Sequence, residues 1–200
     1  MRVAMDTSVL IDYGEFGSAI WSDEPFAPKV SDRQYCEELI ALAEIMNLWM
    51  IRDIRLHVFD RQLTDCHRAL PDERAAFRER QIIQMQSALR CLNHDTIEVE
   101  PDVGEVWPPR PTLSQLPDGP DRELVSLAIE AGCHVFLTRD RGLLRKAQQV
   151  SGYWVALYAP TRLRDALVNV GEFAITSVGS LLLPDSHKWS HVMGACGSSE

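Results

Sequence analysis

The stretch Asp121–Leu144, DRELVSLAIEAGCHVFLTRDRGLL, decides how the rest of the chain is interpreted. Its residues 121–130 carry apolar side chains at three- and four-residue steps, which predicts a helix that ends at the following glycine. The apolar run His134–Leu137 comes next and predicts a buried strand. Asp140 lies just beyond that strand, at the edge where functional side chains of parallel sheets gather. One helix and strand unit therefore carries two carboxylates, Asp121 and Asp140.

Composition indicates one soluble domain with extensions. The chain has 200 residues, of which 46% are hydrophobic and 24% charged, which is enough for a sizeable core. A net charge of -9 argues against a basic surface that wraps nucleic acid, but it is compatible with an enzyme that binds phosphates through metal ions.

Cysteine usage and hydropathy bear on the cellular compartment. The five cysteines are scattered without a CxxC pair, so neither a disulfide framework nor a zinc ribbon is predicted and a reducing compartment is favoured. Asp6 interrupts the N-terminal apolar run too early for a signal-peptide core, and no later apolar segment could span a bilayer. We therefore expect a cytoplasmic protein that does not associate with membranes.

Short apolar or alternating runs predict about five strands along the chain. These runs are Arg2–Met5, Leu48–Ile51, Thr96–Glu100, His134–Leu137 and Tyr153–Tyr158. Helical patterns separate them, and a crossover that returns to a parallel strand needs such a connection. The expected fold class is α/β, with helices on both faces of a central, mainly parallel sheet of about five strands.

The segment Gly14–Val30 contains two glycines and two prolines and is predicted to be a loop. Its aromatic residues Trp21 and Phe26 are expected to pack on the domain core, and base stacking is the less favoured alternative. A further proline-rich segment, Pro101–Pro120, is predicted to be an extended loop that ends where the helix at Asp121 begins.

Four aspartates are predicted to converge at the carboxyl edge of the sheet: Asp6, Asp60, Asp121 and Asp140. Asp6 follows the first strand, where a helix cap is the alternative interpretation, and Asp60 could instead be a solvated residue paired with Arg61. Clustered carboxylates repel each other, so divalent cations are the natural means of neutralising them. Hard oxygen ligands favour Mg²⁺ or Mn²⁺, which suit in-line hydrolysis of a phosphodiester.

Three motifs occur together in this chain. RVAMDTSVLIDY contains Asp6, DRELVSLAIEAG contains Asp121, and FLTRDRGLL contains Thr138 and Asp140. In these motifs, their order and the spacing of the last two acids, the chain resembles the PIN-domain ribonucleases, which include toxins of bacterial toxin–antitoxin pairs. The resemblance implies a PIN-like three-layer α/β/α fold.

The resemblance covers residues 1–167, which we expect to form a PIN-like nuclease domain, and leaves residues 168–200 as a C-terminal extension with a disordered tail. It implies a metal-dependent endoribonuclease that hydrolyses RNA phosphodiester bonds. Mg²⁺ or Mn²⁺ would be held by Asp6, Asp121 and Asp140 together with Asp60, and Thr138 and Ser8 would position ligands or water. The implied partners are an RNA substrate, an antitoxin protein and a second copy in a homodimer.

The second acid of the cluster has two candidates. The family usually has a glutamate in the helix after strand two, whereas this chain offers Asp60, with Asp53 as a rival at the strand end. Because of this departure, a catalytically inactive PIN-like module that binds RNA or protein is the main alternative function. A phosphatase of the haloacid dehalogenase type would need an aspartate two residues after Asp6, and Ser8 stands there instead.

Overall fold

The computed structural model describes residues 1–22, 26, 30–52, 54–65, 72–94, 113, 116, 118–146 and 155–169. Within these ranges the chain forms an α/β fold with four strands and seven helices. No helix in this part of the chain is long and apolar enough to cross a membrane.

The sheet consists of four parallel strands in the order β2-β1-β3-β4. The strands are β1 (Arg2–Met5), β2 (Arg55–His57), β3 (Val135–Leu137) and β4 (Ala156–Tyr158). Because all four run in the same direction, their carboxyl ends lie at one edge, which is where the sequence places Asp6 and Asp140.

Helices cover both faces of this sheet. They are α1 (Thr7–Ser22), α2 (Arg33–Ile51), α3 (Arg61–Asp65), α4 (Asp72–His94), α5 (Pro120–Glu130), α6 (Arg141–Arg145) and α7 (Pro160–Asn169). Buried residues of α1, α2, α4 and α7 pack with Val3 and Met5 in one cluster, whereas those of α5 and α6 pack with Ala4 and Phe136 in another. Since successive strand residues point to opposite faces, the two clusters lie on opposite sides of the sheet. The α/β class and the parallel sheet are as predicted, and the arrangement is compatible with three layers.

The predicted second strand, Leu48–Ile51, is wrong, because these residues form the last turn of α2. Leu48, Trp49 and Met50 are all buried, and a short fully apolar run has the same pattern in a buried helix as in a buried strand. The second strand is β2, where only the central residue, Leu56, is buried.

The predicted loop at Gly14–Val30 is wrong as far as Ser22, because α1 continues through it. The glycine at position 14 allows close packing against α4, where Gln81 Nε2 donates to the Gly14 carbonyl at 3.0 Å. A Cβ at this position would collide with the Gln81 side chain. Trp21 and Phe26 pack on the core, as expected.

The predicted last strand is present as β4, and Pro160 begins α7 directly after it. Thr161 lies in the first turn of this helix, and the Glu38 carboxylate accepts hydrogen bonds from its N–H and its Oγ1 at 3.0 and 2.8 Å. The strand predicted at Thr96–Glu100 lies outside the described residues. So do residues 170–200 of the predicted extension 168–200, whose first two residues belong to α7.

Candidate functional site

Asp6 joins the sheet to the first helix. Its N–H donates to the carbonyl of Leu137 at 2.8 Å, which continues the pairing of β1 with β3. Its carbonyl accepts from Val9 and Leu10, both at 3.1 Å, so its backbone begins α1. Asp6 therefore begins α1 through its backbone carbonyl, as the helix-cap interpretation requires, and its carboxylate makes separate contacts.

The Asp6 carboxylate is held by three donors. Oδ1 accepts from the Thr7 N–H at 2.7 Å, and Oδ2 accepts from Ser8 Oγ and Thr138 Oγ1, both at 2.7 Å. The residue is only 7% exposed. Burial raises the pKa of Asp6, the three hydrogen bonds oppose this, and the nearby charge of Asp140 raises the pKa further. An adjacent cation would act in the opposite direction, because it favours the ionised carboxylate.

Thr138 connects the two acids. It is fully buried after β3, and its N–H donates to the Tyr158 carbonyl at 2.9 Å. Its Oγ1 donates to Asp6 and accepts from the Asp140 N–H at 3.0 Å. One hydroxyl therefore fixes the spacing between Asp6 and the backbone of Asp140.

Asp140 is the exposed partner in this pair. It is the N-cap of α6, and its Oδ1 accepts from the Leu143 N–H at 2.8 Å. A Cβ at Gly142 would lie 2.9 Å from the same oxygen. The absence of a side chain at position 142 thus leaves room for the carboxylate above the first turn of α6.

The other two candidate acids belong to neighbouring helix starts. Asp60 is exposed, and its carbonyl accepts from the Leu63 N–H as α3 begins; Asp121 is exposed in the first turn of α5. An ion pair between Arg61 and Glu123 joins these two helix starts.

The four predicted acids do not form a single cluster. Among the described residues, no group of three or more His, Cys, Asp and Glu side chains could hold a metal ion. Asp6 and Asp140 are the pair that the structure brings together through Thr138, while Asp60 and Asp121 are placed by α3 and α5. Asp53, the rival to Asp60, lies outside the described residues.

Gln62 anchors α3 next to this pair, and sequence reasoning missed it. Its side chain is fully buried, its Nε2 donates to the Met5 carbonyl at 2.5 Å, and its Oε1 accepts from the Phe59 N–H at 2.8 Å. The start of α3 is therefore tied to the end of β1, immediately before Asp6. An uncharged side chain in a polar stretch gives no signal of this role in the sequence.

A buried ion pair next to the site was also missed. Asp12 on α1 is 1% exposed, and its Oδ1 accepts from Tyr35 Oη at 2.7 Å and from an Arg139 terminal nitrogen at 2.6 Å. Arg139 Nε contacts the other carboxylate oxygen, and its guanidinium lies 4.3 Å from the Tyr35 ring centroid. The available signal was an acidic residue within the otherwise apolar VLIDY turn.

The pKa values of this second group reflect its burial. Burial raises the pKa of Asp12 to about 6, although the hydrogen bond from Tyr35 and the charge of Arg139 oppose the shift. Burial also raises the pKa of Tyr35, and its hydrogen bond to the Asp12 carboxylate adds to this effect. At neutral pH the group therefore consists of a carboxylate, a guanidinium and a neutral phenol.

Asp6 and Asp140 offer carboxylate oxygens, the ligand type that a hydrated divalent cation uses. Mg²⁺ in proteins is typically bound through one or two carboxylates and retains several waters, so two acids are sufficient ligands from the protein. A cation close to both groups would offset the repulsion that Asp140 exerts on the Asp6 carboxylate. The residues do not form an all-protein cage, since no third acid joins the pair in the described part of the chain.

Comparisons with protein-family models, curated proteins and solved structures give no match to this chain. The geometry of the carboxyl edge is therefore the basis for a functional proposal.

Proposed function

We propose that this protein is a Mg²⁺- or Mn²⁺-dependent endoribonuclease with a PIN-like three-layer domain. The observation that supports this proposal is the pairing of Asp6 and Asp140 through Thr138 at the carboxyl edge of a parallel sheet. A buried carboxylate next to a second acid is a costly arrangement, and phosphodiester hydrolysis with a divalent cation is a chemistry that uses it.

The protein groups in this site orient the two acids. Ser8 and Thr138 hold one oxygen of Asp6, and the Leu143 N–H holds one oxygen of Asp140. A divalent cation bound there would supply an activated water for in-line attack on an RNA phosphodiester. The two hydroxyl groups act as hydrogen-bond donors that hold the Asp6 carboxylate in place.

Asp60 and Asp121 are the remaining ligands in this proposal, together with water and substrate phosphate oxygens. Both lie at helix starts that the Arg61–Glu123 ion pair joins. Because neither completes a group of three in the described structure, we expect Asp60→Asn and Asp121→Asn to reduce RNA cleavage less than Asp6→Asn. Equal losses in all three variants would instead indicate a single tight cluster.

An antitoxin partner and a homodimer belong to the same proposal. Both derive from the resemblance to PIN-domain toxins. Co-purification with the product of an adjacent gene would test the antitoxin partner, and the molecular mass in solution would test the dimer.

Cleavage of mixed RNA by the purified protein tests the proposed activity. We expect cleavage with Mn²⁺, none with excess chelator, and strong loss in Asp140→Asn. Asp165→Asn is the matched control, because Asp165 is an exposed acid of α7 that pairs with Arg164. Chelator-resistant cleavage, or equal activity in Asp140→Asn and Asp165→Asn, would contradict the proposal.

The absence of a three-acid group among the described residues favours one alternative, a PIN-like module that binds RNA or protein without cleaving RNA. Labelled RNA distinguishes the two functions, because the binding module would retain intact RNA in the presence of Mn²⁺. RNA that is bound and still intact after prolonged incubation with Mn²⁺ would support the alternative.

A further inference from the structure

Arg139 lies between Thr138 and Asp140, yet its side chain leaves the site and enters a partly buried contact with two helices. Its guanidinium pairs with Asp12 on α1 and lies over the ring of Tyr35 on α2. The carboxylate of Asp12 is at the same time an acceptor for the Tyr35 hydroxyl. We refer to Asp12, Tyr35 and Arg139 as the anchoring triad.

The segment that carries Arg139 is attached to α1 at two points. The Arg139 side chain reaches Asp12, and the Arg139 N–H donates to Ser8 Oγ at 3.3 Å. Ser8 and Asp12 are four residues apart, so they lie on one face of α1. Since Ser8 Oγ also donates to Asp6, the same helix face contacts both acid-bearing segments.

A contribution to the stability of the fold does not by itself explain the ion pair between Asp12 and Arg139. A buried ion pair is often no more stabilising than well-packed apolar residues, because both charges lose hydration. It does impose a specific geometry, however, since the planar guanidinium requires a fixed position for the carboxylate and for the ring beneath it. This geometry fixes the positions of the two neighbouring residues, Thr138 and Asp140.

We propose that the anchoring triad is a positioning unit that holds the Thr138–Asp140 segment against α1 and thereby sets the alignment of Asp140 with Asp6. This inference rests on the proposed function only for its effect on catalysis. The triad does not contact substrate in this proposal; it acts through the backbone of residues 138–140.

Amide hydrogen exchange tests the positioning directly and does not depend on nuclease activity. We expect the Asp140 and Leu143 amides to exchange on the order of tenfold faster in Arg139→Gln than in the wild type, because their hydrogen bonds depend on this segment. The Leu163 amide in α7 should be unchanged. Arg164→Gln is the control, because Arg164 is an ion-paired arginine of α7.

The double variant Asp12→Asn/Arg139→Met separates positioning from folding. It removes both charges of the pair, so no unpaired charge remains and the unfolding temperature should stay close to that of the wild type. We expect the Asp140 amide of the double variant to exchange as fast as in Arg139→Gln. We expect kcat for RNA cleavage to fall about 10- to 100-fold relative to the wild type, with little change in KM. Arg139→Lys retains the charge but not the planar contact. Its exchange rate at Asp140 and its kcat should lie between those of the wild type and those of the double variant.

The outcomes are distinguishable. Wild-type exchange rates and wild-type kcat in a folded double variant would show that the triad is only part of the core and would overturn the inference. If the wild-type protein cleaves no RNA, the proposed function fails, and the exchange rates of the Asp140 and Leu143 amides still decide whether the triad positions this segment.

Discussion

Replacement of Asp12 by asparagine should change how the stability of this protein depends on pH. Asp12 is 1% exposed, and burial raises its pKa from 3.8 to about 6. The folded protein therefore binds the Asp12 proton more tightly than the unfolded chain does. Below pH 3.8 the group is neutral in both states, and above pH 6 it is ionised in both states.

The sign of the effect follows from this difference. Between the two pKa values the folded state holds more protons, so the free energy of unfolding falls as the pH rises, and it becomes level above about pH 6. The shift is about two pH units, and each unit corresponds to about 1.4 kcal/mol, so ionisation of Asp12 should cost about 3 kcal/mol of stability. An asparagine can still accept from Tyr35 but cannot ionise.

Urea unfolding at intervals from pH 4 to pH 8 measures this contribution. The free energy of unfolding of Asp12→Asn, minus that of the wild type, should increase by about 2 to 2.5 kcal/mol between pH 4 and pH 7, because Asp12 of the unfolded chain is already partly ionised at pH 4. Asp6 also has a raised pKa, but it is present in both proteins and cancels in the difference. Equal pH dependence in the two proteins would refute the reasoning, because it would mean that Asp12 ionises as easily in the folded state as in the unfolded chain.

Two further substitutions test the surroundings of the acids. Gly142→Ala should lower RNA cleavage, because its Cβ would lie 2.9 Å from Asp140 Oδ1. The unfolding temperature should change little, because weakening the Asp140 cap offsets the helix preference of alanine; unchanged cleavage by the folded variant would show that the Asp140 position is unimportant. Gln62→Leu removes the donor to the Met5 carbonyl and should destabilise the protein by about 1 to 3 kcal/mol in urea unfolding, and wild-type stability would contradict this role.

The fold class could be predicted because it depends on hydrophobic patterns within short segments of the sequence. Arg2–Met5 and residues 121–130 have the lengths and periodicities of a buried strand and an amphipathic helix, and the structure confirms both elements as β1 and α5. The strand prediction for Leu48–Ile51 is wrong because Leu48, Trp49 and Met50 are all buried, which conceals the helical period. The sequence does not reveal β2, because three residues with one buried side chain carry almost no pattern.

Some residues of the candidate site could be predicted from the sequence and others could not. Asp6, Thr138 and Asp140 follow directly from strand ends, so their proximity could be anticipated from the parallel sheet. Gln62 and Arg139 could not be assigned in this way, because their roles depend on contacts between segments that are distant in the sequence. The predicted position of Asp60 depended on where the second strand ends. Because that strand was placed at Leu48–Ile51 and not at β2, the helix that follows it was also placed incorrectly.

Cleavage of a defined RNA by Asp6→Asn under single-turnover conditions, with saturating Mn²⁺, tests the proposed metal-dependent hydrolysis most directly. Asp165→Asn again controls for the loss of one negative charge. Because loss of even a supporting group around a metal commonly costs 10- to 100-fold, the cleavage rate of Asp6→Asn should be at least about 100-fold below that of Asp165→Asn. Equal cleavage rates in the two folded variants would contradict the assignment of Asp6 to a metal-dependent ribonuclease site.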